Sequence, residues 1–272
     1  MEKELRFEFG ENWTRFLKVV NEERITRAES SLREVFETES LAGKRFLDIG
    51  CGSGLFSLSA RRLGAEVHSF DYDAHSVACC LEMKRRYFPE DALWRIEKGD
   101  VLSEAYLKKL GRFDLVYSYG VLHHTGAMFK ALDLAGSAVK TGGKMFISIY
   151  NDQGKATVRW QIIKKIYNKT PGALKTFILA PLFARLWGPA LLRDLMKGRP
   201  FASWEKYAGE RGMSPWHDVV DWVGGYPFEA AKPEDILIFY RKRGFSMLKM
   251  RASGGHGCND YVFLKEPSGW LG

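Results

Sequence analysis

Three groups of residues in this chain have types and spacings suited to chemistry. The first is a glycine-rich turn behind a carboxylate: Lys44-Arg45-Phe46-Leu47-Asp48-Ile49 runs into Gly50-Cys51-Gly52-Ser53-Gly54. Glycine lets a ligand approach the backbone and permits positive φ. A dinucleotide fingerprint G-x-G-x-x-G would need a third glycine where Leu55 stands. With Asp48 at the strand end instead, the turn suits a nucleoside ligand that carries an ammonium group and no phosphates. The second is Asp71, the acidic end of Glu66-Val67-His68-Ser69-Phe70-Asp71, where a carboxylate can accept both hydroxyls of a ribose. The third is the pair His123-His124, after the apolar run Phe113 to Ser118; imidazole titrates near neutrality and is the natural general base.

These residues need a scaffold that brings strand ends together. Leu55 to Gly64 reads as a helix after the first strand, giving strand, tight loop, helix. Tyr72 follows the second strand and can lie against an adenine face, while Asp73 caps a helix over Ala74 to Phe88. A third strand, Trp94 to Glu97, leads to Lys98-Gly99-Asp100-Val101, where Asp100 is either a ligand contact or a turn residue. The fourth strand ends in Ser118, Tyr119 and the histidines, and Gly142-Gly143 turns the chain into a fifth, Lys144 to Tyr150. Residues 7 to 40 read as helical, with Trp13 and Phe16 as core candidates and Ile25, Ala28, Leu32 and Phe36 at helical spacing. The alternation stops after Tyr150 and resumes at a helix near Lys232 to Tyr240, followed by strands Ser246 to Arg251 and Tyr261 to Leu264.

The stretch Asp48-Ile49-Gly50-Cys51-Gly52-Ser53-Gly54, with the acidic strand ends in register behind it, resembles motif I of the class I S-adenosylmethionine-dependent methyltransferases. The resemblance implies an α/β fold: a Rossmann-like seven-stranded sheet with helices on both faces, N-terminal helices, and a helical cap inserted after the fifth strand. It divides the chain into an N-terminal helical segment (1–42), a cofactor-binding core (43–150), an inserted cap (151–230) and a C-terminal completion of the core (231–272). It implies S-adenosylmethionine as cofactor, with S-adenosylhomocysteine as product. Carried onto this sequence, the cofactor-binding residues are Asp48, Gly50, Gly52, Gly54, Asp71, Tyr72, Asp100, Val101, Ser118 and Tyr119. Asp100 would accept the adenine amino group, and the Val101 N–H would meet a ring nitrogen. N-terminal helices of such enzymes pack beside the core and often close over the cofactor.

Within that class the chain is similar to the small-molecule branch, including the ubiquinone-biosynthesis type O-methyltransferases. Those carry an acidic post-strand motif, E-x-x-E-H, that in some members holds a divalent metal. Here the matching residues are Gly120-Val121-Leu122-His123-His124, so both carboxylates are missing. Neither metal assistance nor a quinone precursor carries over, and no metal site is expected. The phrases Phe9 to Trp13, Ile149 to Gly154 and Asp221 to Glu229 are typical of a bacterial methyltransferase subgroup, which names no substrate.

Four cysteines without a C-x-x-C, two of them the adjacent Cys79-Cys80, point to a reduced protein. The charged start Met1 to Arg6 leads into no signal-like apolar core, so a cytoplasmic location is expected. The net charge of +8 is concentrated in residues 151–200, which hold ten Lys or Arg against two Asp. Residues 151–230 also hold five of the eight tryptophans: Trp160, Trp187, Trp204, Trp216 and Trp222. Ala156 to Asn168 groups Val158, Ile162 and Ile166 on one helical face. Leu174 to Met196 is apolar, interrupted by Pro181 and Pro189, and too short of uncharged residues to span a bilayer. Three readings stay open: a cap that encloses a small acceptor, a basic amphipathic surface on anionic membrane, and a nucleic-acid cradle, the last disfavoured without a recognisable binding module. Such insertions also make dimer contacts, which leaves a homodimer open.

Ser214-Pro215-Trp216-His217-Asp218 reads as a capped helix start with Pro215 at the first helical position, and His217 either faces the acceptor or pairs with Asp218 or Asp221. His256, in a glycine loop, has no assigned role. The candidate bases are therefore His124, then His123, then His217. The expected function is methyl transfer to a small-molecule acceptor, most simply a hydroxyl, with nitrogen or sulfur acceptors and RNA as alternatives.

Overall fold

A computed structural model describes residues 17, 20–211, 215–253, 255 and 257–267, with nothing described of the side chains of 208–211 and 217. Asn12 to Phe16, the first part of the expected N-terminal helix, lies outside the described residues, as do the phrase Phe9 to Trp13, Ser214 and His256.

The described residues form two compact units, one made of Val158–Phe228 and the other of the residues up to Thr157 together with Glu229 onward. The larger unit contains a seven-stranded sheet of order β3-β2-β1-β4-β5-β7-β6. Its strands are β1 Arg45–Ile49, β2 Glu66–Asp71, β3 Trp94–Lys98, β4 Phe113–Tyr119, β5 Val139–Tyr150, β6 Phe245–Arg251 and β7 Cys258–Lys265. Neighbours from β3 through β5 pair in parallel, and β7 runs antiparallel to both β5 and β6.

Parallel strands buried on both faces read as continuous apolar runs whose successive side chains go to opposite cores. Leu47, Val116 and Ile147 go to one side, where α4 Glu104–Leu110, α5 Met128–Ser137 and α10 Pro233–Arg241 supply Leu107, Leu132 and Ile236. Phe46, Tyr117 and Phe146 go to the other, where α1 Glu22–Phe36, α2 Leu55–Arg62 and α3 Ala74–Tyr87 supply Leu32, Leu58 and Met83. The caps follow from sequence: the Asn21 side chain accepts from Arg24 N–H at 3.0 Å, and Asp73 accepts from His75 N–H at 2.9 Å.

The fifth strand starts earlier than the sequence reading places it. The fifth strand begins at Val139, before the diglycine, because the register slips between Phe113↔Val139 and Leu115↔Lys144 and the diglycine forms a kink within the strand. Gly142 has φ +75°, and a Cβ on Gly143 would lie 2.9 Å from the carbonyls of Asp114 and Lys140, so glycine is required there.

The smaller unit is helical. The chain enters it along α6 Lys155–Lys169 and continues as α7 Gly172–Met196, α8 Ala202–Arg211 and α9 Pro215–Gly224. Its core gathers Tyr167, Leu179, Val219 and Val223 with Phe183, Trp187, Trp216 and Trp222. The tryptophans pack on one another and on nearby rings: Trp160–Trp222 centroids are 4.1 Å apart, and Phe183 lies 5.7 Å from Trp204 and 5.3 Å from Trp216. Contrary to the sequence reading, Pro181 and Pro189 do not break α7. Both sit on its exposed side, where water can donate to the carbonyls that proline leaves unbonded. Among the described residues no helix is long and apolar enough to cross a membrane.

Candidate active site

In an open α/β sheet, ligands bind beyond the carboxyl ends of the strands where the order reverses, here between β1 and β4. The glycine loop leaves β1 there. Gly50, Gly52 and Gly54 all have positive φ, at 75°, 52° and 79°. Two of them also make room for protein atoms. A Cβ on Gly50 would lie 2.4 Å from Val121 Cγ2, and one on Gly54 would lie 2.6 Å from Cys80 Sγ. The loop is thus wedged between α3 and the residues that follow β4, a constraint the glycine spacing alone did not reveal.

Asp48 is buried at the base of this loop and ends a directed chain of hydrogen bonds. Trp94 Nε1 donates to Ser69 Oγ at 2.9 Å, Ser69 Oγ to Ser57 Oγ at 2.7 Å, and Ser57 Oγ to Asp48 Oδ2 at 2.5 Å. The chain crosses β3, β2, α2 and β1. Burial pushes the Asp48 carboxyl up to about 7 against the pull of the Ser57 hydroxyl, and nearby Asp71 adds to the rise. A cationic ligand group beside Asp48 would offset that desolvation.

Asp71 holds the loop from the end of β2. Its Oδ2 accepts from Gly52 N–H at 3.0 Å and its Oδ1 from Asp73 N–H at 2.9 Å. Burial raises its carboxyl to about 6, opposed by those N–H donors. Each oxygen keeps further lone-pair capacity, so the carboxylate can serve the loop and a pair of ribose hydroxyls together. Beside it the Tyr72 ring is 45% exposed, with Lys98 Nζ 5.8 Å from its centroid. Asp100 forms the turn that the sequence also allowed, its Oδ1 accepting from Leu102 N–H at 2.8 Å. The Val101 side chain belongs to the core, which leaves its expected role to the backbone. Ser118 is buried and its hydroxyl donates to Ile49 carbonyl oxygen at 3.1 Å, tying β4 to β1. Tyr119 is exposed at the strand end, its ring stacked 6.2 Å from Phe146.

The two histidines occupy a single 3-10 turn, Leu122–His124. His123 is 1% exposed, whereas His124 is half-buried, so only the second opens to solvent. Their rings meet at 4.4 Å, and Tyr150 at the end of β5 lies 4.2 Å from His123 and 5.6 Å from His124. Thr125 Oγ1 donates to Leu122 carbonyl oxygen at 2.8 Å, closing the turn. Glu229 braces it from far along the chain: its N–H donates to His123 carbonyl oxygen at 2.9 Å, and its carboxylate accepts from Met128 N–H at the start of α5. The sequence reading missed Tyr150 and Glu229 as parts of this cluster, though both stood in the recurrent phrases Ile149 to Gly154 and Asp221 to Glu229. His217 lies on α9, and its side chain is outside the described residues.

Sheet order, acidic strand ends and the left-handed glycine loop together define a class I S-adenosylmethionine-dependent methyltransferase core. The donor set fits that cofactor: a buried carboxylate for an ammonium, a carboxylate with spare lone pairs for a ribose, and an exposed ring for a base. Residues 20–172 match the methyltransferase domain family, and the chain belongs to that family. A ubiquinone biosynthesis O-methyltransferase of Nitrosococcus oceani is 34% identical over 118 residues, covering 43% of this chain and 48% of that protein. A tRNA U34 carboxymethyltransferase of Ectopseudomonas mendocina is 38% identical over 120 residues, covering 43% of this chain and 35% of that protein. The chain thus spans about half, or less, of the length of these two curated relatives. Among solved structures, the magnesium protoporphyrin IX methyltransferase of Synechocystis PCC 6803 with bound SAH superposes with a TM-score of 0.54 at 14% identity, covering 89% of this chain and 83% of that one. That likeness is one of fold.

Proposed function

We propose that this protein transfers a methyl group from S-adenosylmethionine to a hydroxyl of a small-molecule acceptor, with His124 as the base. The observation that carries the reading is the His123–His124–Tyr150 cluster, with rings 4.2 to 5.6 Å apart, on the loop that Val121 ties to the cofactor turn. When bound, the cofactor supplies a methyl already activated by its sulfonium. The chain's tasks are therefore orientation, exclusion of water and removal of one proton. Asp71 holds the ribose and Asp48 faces the ammonium. An imidazole nitrogen of His124 takes the acceptor's hydroxyl proton, while buried His123 and the Tyr150 ring fix the imidazole's position.

The test is a labelled-methyl transfer assay, in which the purified protein is given labelled S-adenosylmethionine and fractionated bacterial extract. Label in a low-mass, nuclease-resistant fraction supports the proposal and leads to the product by mass spectrometry. Nuclease-sensitive label in the polymer fraction overturns it in favour of RNA.

A further inference from the structure

The second helix of the smaller unit is apolar on two opposite sides. Leu179, Leu182, Phe183 and Trp187 of α7 turn inward, into the unit's core. Leu174, Phe177, Leu192, Leu195 and Met196 turn outward, with Phe177 76% and Met196 81% exposed. Their spacing, continued by Pro181, Ala184 and Gly188, follows steps of three and four residues, which places them in one stripe along the helix. Over the 1.5 Å rise of a helix, that stripe is about 33 Å long. On α6, Val158, Ile162 and Ile166 form a second stripe, each just over half exposed. The sequence reading grouped these three on one face; that face is turned to solvent.

Exposed cations accompany the outward apolar side chains along this stretch, and no carboxylate between Asp152 and Glu205 is exposed. Between Asp152 and Glu205 the only acidic residue is Asp194. It is buried, accepting from Ser203 N–H at 2.6 Å and Ser203 hydroxyl at 2.8 Å. Over the same span Lys165, Lys169, Arg185, Arg193, Lys197 and Arg199 are exposed. An exposed apolar stripe on a segment whose exposed charges are all lysine and arginine is the pattern of a helix that lies in an anionic membrane interface. A second copy of the chain is a poorer occupant, because a two-fold contact through α7 would bring the same cations face to face.

We propose that the outward face of α7 docks the protein on an anionic phospholipid bilayer, with Phe177, Leu195 and Met196 entering the interface and the flanking cations meeting lipid phosphates. The docking does not depend on which acceptor the active site takes, so it stands or falls separately from the proposed reaction.

The test is flotation of the full-length protein with phosphatidylcholine vesicles, alone or with about 30% phosphatidylglycerol to supply negative surface charge. The expected result is binding to the anionic vesicles only, weakened at least about tenfold by high salt. The Phe177→Asp/Met196→Asp variant should lose binding while keeping the wild-type circular dichroism and Tm. If that variant misfolds, Arg185→Gln/Arg193→Gln, which changes only exposed cations, must reduce binding instead. The proposal is overturned if the wild type does not float with anionic vesicles, or if it floats equally with neutral ones. It is equally overturned if the aspartate variant binds unchanged, if that variant instead abolishes a concentration-dependent dimer, or if an RNA oligonucleotide displaces the protein from the vesicles.

Discussion

Gly50 and Val121 are fitted to each other: a Cβ on the glycine would lie 2.4 Å from one methyl of the valine and 2.5 Å from the other. Gly50 opens the cofactor loop, and Val121 opens the turn that carries both histidines. The two halves of the site therefore share one contact. Gly50→Ala should lower stability by about 1–2 kcal/mol for the left-handed φ and a further ~1–3 kcal/mol for overpacking, and should weaken cofactor binding and turnover together. Gly120→Ala, at φ +72° with nothing within 4 Å, carries only the backbone penalty. Thermal melts and calorimetry on the pair distinguish strain from collision, and equal losses would remove Val121 as the link.

Asp71 serves the loop as well as any ligand. Asp71→Ala strips the acceptors from Gly52 and Asp73 N–H. Each N–H left unsatisfied costs about 1–3 kcal/mol where it is buried. The variant should therefore show a lower Tm without ligand, in addition to severely weakened binding of S-adenosylmethionine by calorimetry. An unchanged Tm would mean that the loop holds itself.

The glycine loop, the acidic strand ends and the order of strands were legible in the sequence because each is a local pattern: an apolar run, a turn residue, a carboxylate at a fixed place. What the sequence hid is contact between distant segments. The demand for glycine at positions 50 and 54 comes partly from Val121 and Cys80, which no local spacing predicts. Glu229 reaches the histidine turn from about a hundred residues further along the chain. Pro181 and Pro189 looked like breaks because their missing N–H is a local fact, whereas the solvation that tolerates them on α7 is not.

His124 and His123 should separate when mutated. His124→Ala should lower methyl transfer by about 10²–10⁴-fold with cofactor affinity unchanged, the loss typical of removing a general base. His123→Ala empties a buried position between His124 and Tyr150, so it should lower Tm first and turnover through misplacement of His124. Full activity in His124→Ala, measured by labelled-methyl transfer, would reject it as the base.

Asp48 makes cofactor binding depend on pH. Its carboxyl titrates at about 7 and that of Asp71 at about 6, so both gain charge as pH rises across this interval. Only the ionised Asp48 attracts an ammonium, so affinity for S-adenosylmethionine should rise between about pH 5 and pH 8, about one unit either side of those values. Asp48→Asn should remove the upper part of that rise. For stability the sign is opposite. A folded pKa raised above the unfolded value of 3.8 means that this group's contribution is full below that value and is lost as pH rises toward about 7. Calorimetry across the range, beside melts of the ligand-free protein, tests both signs, and flat affinity would detach Asp48 from the ammonium.

Lys164 and Lys165 are adjacent in sequence, and the structure separates them. Lys165 is exposed, whereas Lys164 is fully buried, its Nζ donating to Trp222 carbonyl oxygen and lying 4.8 Å from the ring centroids of both Trp222 and Phe228. With Asn168 Nδ2 donating to Gly224 carbonyl oxygen at 2.7 Å, it satisfies the last carbonyls of α9. Burial pulls the Lys164 ammonium down to about 7 from an unfolded value of 10.5. Between those values the unfolded chain holds a proton that the folded chain has released, so stability rises with pH there and is lost as pH falls through about 7. Lys164→Met should keep most of the packing and flatten that slope, at the expense of the Trp222 hydrogen bond. Lys164→Glu should unfold the helical unit, and Lys165→Glu should leave its melting unchanged. Melts of the three variants from about pH 6 to pH 9.5, about a unit below the lower pKa value and a unit short of the upper, decide the matter. An unaltered pH slope in Lys164→Met would mean that Lys164 remains charged in the fold.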